Sequence, residues 1–226
     1  MTQKGLWIIG YGSLIFRPPP LYAFRVTGTL TGYLRRFWQS SSDHRGTPES
    51  PGRVVTLILL EDLQGNQRLA EDALEYEFSG YGPAHTWTEQ DLTVWGVAYY
   101  IEPKNVAAVQ EYMEIREQDG YSAHVVHFNV HGYPKNDAFV EGVLSQIPLN
   151  DDRSICIEST VYIGTVANES FVGPEHITET SKIIRSSKGP SGRNIDYLRQ
   201  LTDAVRELDS RGVEDVYLEK LLALSL

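Results

Sequence analysis

Leu6-Trp7-Ile8-Ile9-Gly10-Tyr11-Gly12-Ser13-Leu14-Ile15-Phe16 is an apolar run of strand character that empties into a turn punctuated by two glycines. Pro18, Pro19 and Pro20 follow and forbid a helix there. Gly10 and Gly12 leave backbone N–H groups without side-chain cover, and turns of this kind bind anionic groups because several donors converge. The segment therefore reads as a buried strand that delivers a loop built for a carboxylate or an oxyanion. The competing reading is a dinucleotide fingerprint, since Gly10-Tyr11-Gly12 opens like G-x-G-x-x-G. It fails at two points: the third glycine position holds Ile15, and Arg17 and the three prolines replace the helix that would receive a pyrophosphate.

With 226 residues, 41% of them hydrophobic and 11% aromatic, the chain can build one substantial core, and residues 1–226 are expected to form one domain. A formal net charge of -10 argues against nucleic acid as a partner, because phosphates demand a basic face. The charge is uneven. Residues 1–60 hold seven Lys or Arg against Asp43 and Glu49, while the remainder holds 13 against 28. A basic N-terminal region in an acidic protein suits a small anionic ligand, on which Arg36, Arg45 and Arg53 would have to converge. The one cysteine, Cys156, lies between Ile155 and Ile157 and reads as core. It allows no disulfide framework and points to a reducing, cytoplasmic compartment. The short apolar run near the start is broken by Gly10 and is neither a signal peptide nor a spanning helix, so no membrane association is expected.

Strand-like runs rich in Val, Ile, Tyr and Thr recur at 6–9, 53–60, 94–101, 123–130 and 155–166. Helices are expected at 103–117, opened by Pro103 and stopped at Asp119-Gly120, and at 136–146, 175–186, 194–208 and 214–225. Strands and helices do not alternate regularly, which predicts an α+β fold with a mainly antiparallel, curved sheet. Residues 62–91, with Gly65, Gly80, Gly82, Pro83 and many charges, read as an irregular surface excursion. Gly189-Pro190-Ser191-Gly192 lacks the Lys-Ser/Thr of a P-loop and reads as a turn ahead of the helix near Asn194.

One carboxylate stands out. At about 100° per residue, Val106, Gln110, Met113 and Glu117 fall within about 60° of one another, so Glu117 continues an inward-facing stripe. It sits in the last helical turn, where the dipole disfavours an anion, and its neighbours desolvate it. Both effects push its pKa upward, as a carboxylate that shuttles protons at neutral pH requires. The alternative is an ion pair with a nearby Arg or a solvated helix end. Histidines offer less: His124 and His127 point to opposite faces of a strand, and His85, His131 and His176 lack ligand-like company, so no metal site is expected. No G-x-S-x-G elbow surrounds any serine.

Gly10-Tyr11-Gly12-Ser13-Leu14-Ile15, Arg35-Arg36-Phe37-Trp38-Gln39, Asp43-His44-Arg45-Gly46-Thr47-Pro48-Glu49, Pro51-Gly52-Arg53-Val54, Arg116-Glu117 with Gly120-Tyr121, Tyr162-Ile163-Gly164-Thr165 and Gly189-Pro190-Ser191-Gly192 run in order along almost the whole chain. Together they resemble the ChaC-type glutathione-specific γ-glutamylcyclotransferases, with a longer C-terminal part similar to the fungal members. The resemblance implies a γ-glutamylcyclotransferase-like fold, a compact mixed β-barrel with flanking helices. It implies cleavage of glutathione to 5-oxoproline and cysteinylglycine without metal or cofactor, and no obligate protein partner is evident. It carries the family's substrate loop onto Tyr11, Gly12, Ser13 and Leu14, and its catalytic glutamate, base and then acid, onto Glu117. Residues 62–91 find no counterpart. Charge alone makes Arg45 and Arg53 candidates for the glycine-end carboxylate. Two other readings stand beside this one: a cyclotransferase of the same fold for other γ-glutamyl amines or dipeptides, and a non-catalytic binding module.

Overall fold

The structure, a computed structural model, describes residues 4–77, 86–117 and 120–226. In chain order the strands are β1 (Leu6–Gly10), β2 (Tyr22–Thr31), β3 (Tyr33–Ser41), β4 (Gly52–Leu59), β5 (Thr93–Ile101), β6 (Ser122–Gly132) and β7 (Ile155–Ile163), then a short pair, β8 (Lys188–Gly189) and β9 (Gly192–Arg193). The helices are α1 (Leu60–Gly65), α2 (Gln67–Tyr76), α3 (Val106–Arg116), α4 (Ala138–Leu144), α5 (Ile177–Ser186), α6 (Asn194–Arg206) and α7 (Val216–Ser225). The five strand runs and five helices read from the sequence coincide with β1, β4 to β7 and α3 to α7, although β7 stops at Ile163. β2 and β3 escaped that reading.

Five strands close into a barrel in the order β1-β5-β2-β6-β7. Neighbours are antiparallel except β1 and β7, which run parallel and meet at Ile8 and Thr160. Closure removes the unpaired sheet edges and gives each strand an inner and an outer face. Along β7, Ile157, Ser159, Val161 and Ile163 are buried while Glu158 is exposed, the two-residue period of a strand with one face in the core. Cys156 therefore falls on the other face and is half-buried, not core as its apolar neighbours suggested. Partial burial pushes its thiol up, which keeps it a poor nucleophile.

β3 and β4 form a separate antiparallel pair. Phe37, Val55 and Leu57 join the barrel core, while Leu34, Trp38 and Ile58 join a second cluster with Leu63, Leu69, Ala73, Trp87 and Leu92. That second cluster corrects the reading of 62–91: α1 and α2 are ordered helices with buried faces, and 78–85 lie outside the described residues. Leu69, Ala73 and Tyr76 make the buried stripe of α2, and Asn66 caps it by accepting from the Arg68 N–H at 3.1 Å.

α5, α6 and α7 pack on one another, α5 against β4 and α6 against the turn at Ser13–Ile15. Asn194, fully buried at the start of α6, accepts from the Arg53 N–H at 2.7 Å and donates to the Arg53 carbonyl at 2.8 Å. This pins α6 to β4 and sets Tyr197, one turn on, beside the end of β1. Among the described residues no helix is long and apolar enough to cross a membrane.

Candidate active site

Where β1 ends, the chain makes one turn of 3-10 helix over Ser13–Ile15. The Ile15 N–H bonds back to the Gly12 carbonyl at 3.0 Å, and those of Phe16 and Arg17 to Ser13 at 3.2 and 2.8 Å. The N–H groups of Gly12, Ser13 and Leu14 come first in the turn and find no acceptor among the described residues. The loop is held from several sides. Arg35 Nε donates to the Tyr11 carbonyl at 2.9 Å, another arm donates to the Trp95 carbonyl, and Asp215 pairs with the guanidinium at 2.8 Å. The Tyr11 hydroxyl donates to the Tyr162 carbonyl at 2.9 Å and that of Tyr99 to the Leu14 carbonyl at 2.7 Å. Close packing explains both glycines: a Cβ on Gly10 would lie 2.7 Å from Leu14 Cβ, and one on Gly12 2.7 Å from Val55 Cγ2.

Glu117 closes the C-terminus of α3, its N–H bonded to the Met113 carbonyl at 2.9 Å. The buried seam of that helix is Val109 and Met113, with Val106 partly buried. Gln110 is exposed, so the stripe inferred from the sequence was right about Glu117 and one residue off in the middle. The Glu117 side chain is 18% exposed, with Oε1 3.3 Å from Arg116 Nε. Burial pushes its carboxyl above the usual glutamate range, against smaller downward pulls from Arg116 and His44. The Arg116 guanidinium also donates to Ser13 Oγ at 2.9 Å and to the Arg17 carbonyl at 3.1 Å. One side chain thus ties the glycine loop to the carboxylate.

Tyr11, Gly12, Ser13, Leu14 and Glu117 all line one cavity of about 310 Å³. The arginines do not converge as charge counting suggested. Arg45 is on the cavity wall, but Arg53 forms a two-point pair with Glu175 at 2.8 Å and Arg36 is taken by Asp72 and Glu77. The sequence reading missed Tyr197, Tyr112 and Arg17 as wall residues, and it quoted Tyr121, Tyr162, His44 and Ser191 only as parts of motifs. Gly189-Pro190-Ser191-Gly192 is the tight turn between β8 and β9, and it packs on the loop after β3, with the Ser191 N–H bonded to the His44 carbonyl at 3.0 Å. Its close fit to that loop was not legible locally.

Burial pushes the Tyr11 and Tyr162 hydroxyls up, and that of Tyr197 to about 12, so these three phenols are neutral at physiological pH. A second carboxylate on the wall, Asp43, is 43% exposed and 3.3 Å from His44. Among the described residues no group of His, Cys, Asp or Glu is arranged to hold a metal ion. The arrangement can bind an anionic or developing oxyanion on bare amides and exchange a proton with one desolvated carboxyl group.

A family model described as ChaC-like protein matches residues 6–225. Over 225 residues the chain is 42% identical to the glutathione-specific gamma-glutamylcyclotransferase of Saccharomyces cerevisiae, an alignment spanning 97% of this chain and 95% of that protein. It is 34% identical to the protein of the same description from Schizosaccharomyces pombe, over 98% of this chain and 92% of that one. The crystal structure of the selenomethionine-labelled yeast cyclotransferase specific to glutathione superposes with a TM-score of 0.88 at 41% identity, covering 98% of this chain and 95% of that one.

Proposed function

The chain belongs to the ChaC-like family, and from that premise we propose that it is a glutathione-specific γ-glutamylcyclotransferase, as its relatives are named, and converts glutathione to 5-oxoproline and cysteinylglycine. The observation that carries the reading is the meeting, in one cavity, of the unpaired N–H groups of Gly12, Ser13 and Leu14 with the desolvated carboxyl of Glu117. Glu117 takes a proton from the α-amino nitrogen of the γ-glutamyl unit. That nitrogen bonds to the γ-carbonyl carbon, closing a five-membered ring, and the carbonyl electron pair moves onto oxygen. As the pair returns, the bond to the cysteinylglycine nitrogen breaks, and Glu117 hands its proton to that nitrogen. One carboxyl group serves both transfers. Because the attack is intramolecular, holding the substrate in its folded conformer supplies much of the acceleration. The bare amides either hold the γ-glutamyl carboxylate or stabilise the oxyanion.

A cytoplasmic location goes with this reading: a chain with one cysteine closes no internal disulfide, and a reducing compartment keeps the thiol substrate free. Parallel assays on glutathione, γ-glutamyl-alanine and γ-glutamyl-lysine test the substrate class. Turnover of glutathione alone is expected, and faster turnover of either dipeptide would reassign the substrate. Gly12→Val tests the loop. Its branched side chain has to displace Val55 or the loop itself, and a shift of that kind next to the reacting atoms is expected to lower kcat/KM by about 100-fold. Wild-type kinetics in a folded Gly12→Val protein would remove the loop from the site.

A further inference from the structure

Arg45 is 4% exposed and lies on the cavity wall, yet among the described residues no carboxylate stands at ion-pair distance from it. Arg35, Arg36 and Arg53 are buried as well, and each has a carboxylate at 2.8 Å or closer. Arg45 donates from Nη1 to the Arg193 carbonyl at 3.2 Å and lies 5.2 Å from the centre of the Tyr197 ring. A guanidinium carries five N–H donors, so most of its capacity is unspent, and a buried charge without a counter-ion is unfavourable unless something completes it. Arg17, exposed and on the same wall, adds a second positive charge; its repulsion and, above all, burial pull Arg45 below the ordinary arginine value. The nearby acids are engaged elsewhere: Asp196 faces Arg199 at 3.8 Å and Asp43 faces His44 at 3.3 Å.

The position of this pair relative to the chemistry follows from Tyr197. Its ring carries Arg45 on one side, and its hydroxyl is 3.3 Å from where a Cβ on Gly12 would stand. An anion on Arg45 is therefore held across Tyr197 from the glycine loop. Glutathione has two carboxylates. One belongs to the γ-glutamyl unit that reacts beside the loop and Glu117, and the other, on glycine, is at the far end of the molecule. Resting on the cyclotransferase reading of the site, we propose that Arg45, assisted by Arg17, receives the glycyl carboxylate and thereby selects the tripeptide over other γ-glutamyl compounds. Planar two-point recognition of a carboxylate is what a guanidinium does best.

The test compares kcat/KM for glutathione, its glycyl ethyl ester and γ-glutamylcysteine in the wild type, Arg45→Met and Arg17→Met. The wild type is expected to prefer glutathione over the ester by roughly 10- to 100-fold, the worth of a hydrogen bond to a charged group. Arg45→Met should lose about that factor on glutathione through KM and change little on the other two, so that the preference collapses. Arg17→Met, an exposed change that leaves the fold intact, should move the preference in the same direction by a smaller factor, and it decides the matter if Arg45→Met does not fold. An equal loss on all three substrates would mean that Arg45 holds the γ-glutamyl end or only supports the wall, and would overturn the proposal. So would an unchanged preference in Arg17→Met, or a wild type that turns over glutathione and its ester equally. A wild type that cleaves none of the three would overturn the cyclotransferase reading instead.

Discussion

Glu117→Gln is expected to lower kcat on glutathione by the upper part of the range of about 10²–10⁴ that a general acid–base group contributes, because one residue serves both proton transfers. The amide keeps the shape of the carboxyl group but cannot accept and return a proton, so calorimetric titration should still show glutathione binding. Retention of more than about a tenth of the wild-type rate would place the proton transfers elsewhere. The groups facing Glu117 are Arg116, His44 and the hydroxyls of Tyr11, Tyr162 and Tyr197. Since burial raises its pKa, the wild-type kcat/KM should fall on the acid side with an inflection above the ordinary glutamate value of about 4.3, and the variant should lack that limb. Stability follows with the sign fixed by the same shift. A carboxyl whose folded pKa is raised costs stability once ionised, at pH values above the folded pKa, and costs nothing below its unfolded value. The Gln variant should therefore be as stable as the wild type or slightly more so at neutral pH, the gain fading toward about pH 4. Thermal melts at the two pH values check this.

Arg36→Met is expected to reduce the free energy of unfolding by about 3–5 kcal/mol, the cost of removing one partner from a buried ion pair. Arg36 is 1% exposed, 2.6 Å from Asp72 and 2.6 Å from Glu77, and its guanidinium lies 4.5 Å from the centre of the Tyr217 ring. Methionine fills part of the space but leaves two carboxylates of α2 and its C-cap facing apolar and aromatic side chains without the guanidinium that pairs with both. Urea unfolding measures the loss, and a change under about 1 kcal/mol would show that the two acids are solvated and the cluster contributes little.

That cluster also explains why part of the fold was not legible in the sequence. Strand β3 carries Arg35 and Arg36 in its middle, where an apolar alternation would mark a strand. Both are buried because their partners, Asp215 and the Asp72–Glu77 pair, arrive from distant segments. The same acids made α2 look like a charged surface excursion. In β2, Gly28 stands where the alternation of Phe24, Val26 and Leu30 wants a core side chain, because any Cβ there would run into the Asn129 carbonyl. Features written in adjacent residues were readable: β1 running into the Gly10–Gly12 turn before three prolines, and the helix that places Glu117 at its end. Electrostatic convergence was not. Charge counting could not tell Arg45, which has no carboxylate at ion-pair distance among the described residues, from Arg53, which Glu175 already neutralises. Tyr197 lies inside the helix expected at 194–208 with nothing in the local sequence to mark it, and the clamp of Asn194 on Arg53 brings it beside the glycine loop.

The most direct measurement is product analysis by mass spectrometry after the purified protein has acted on glutathione in heavy-oxygen water containing EDTA. Attack by the substrate's own amine predicts 5-oxoproline and cysteinylglycine in equal amounts, with no heavy oxygen in either and no dependence on added metal. Free glutamate carrying heavy oxygen would show that water, not the α-amine, attacks the γ-carbonyl, and would contradict the cyclisation at Glu117.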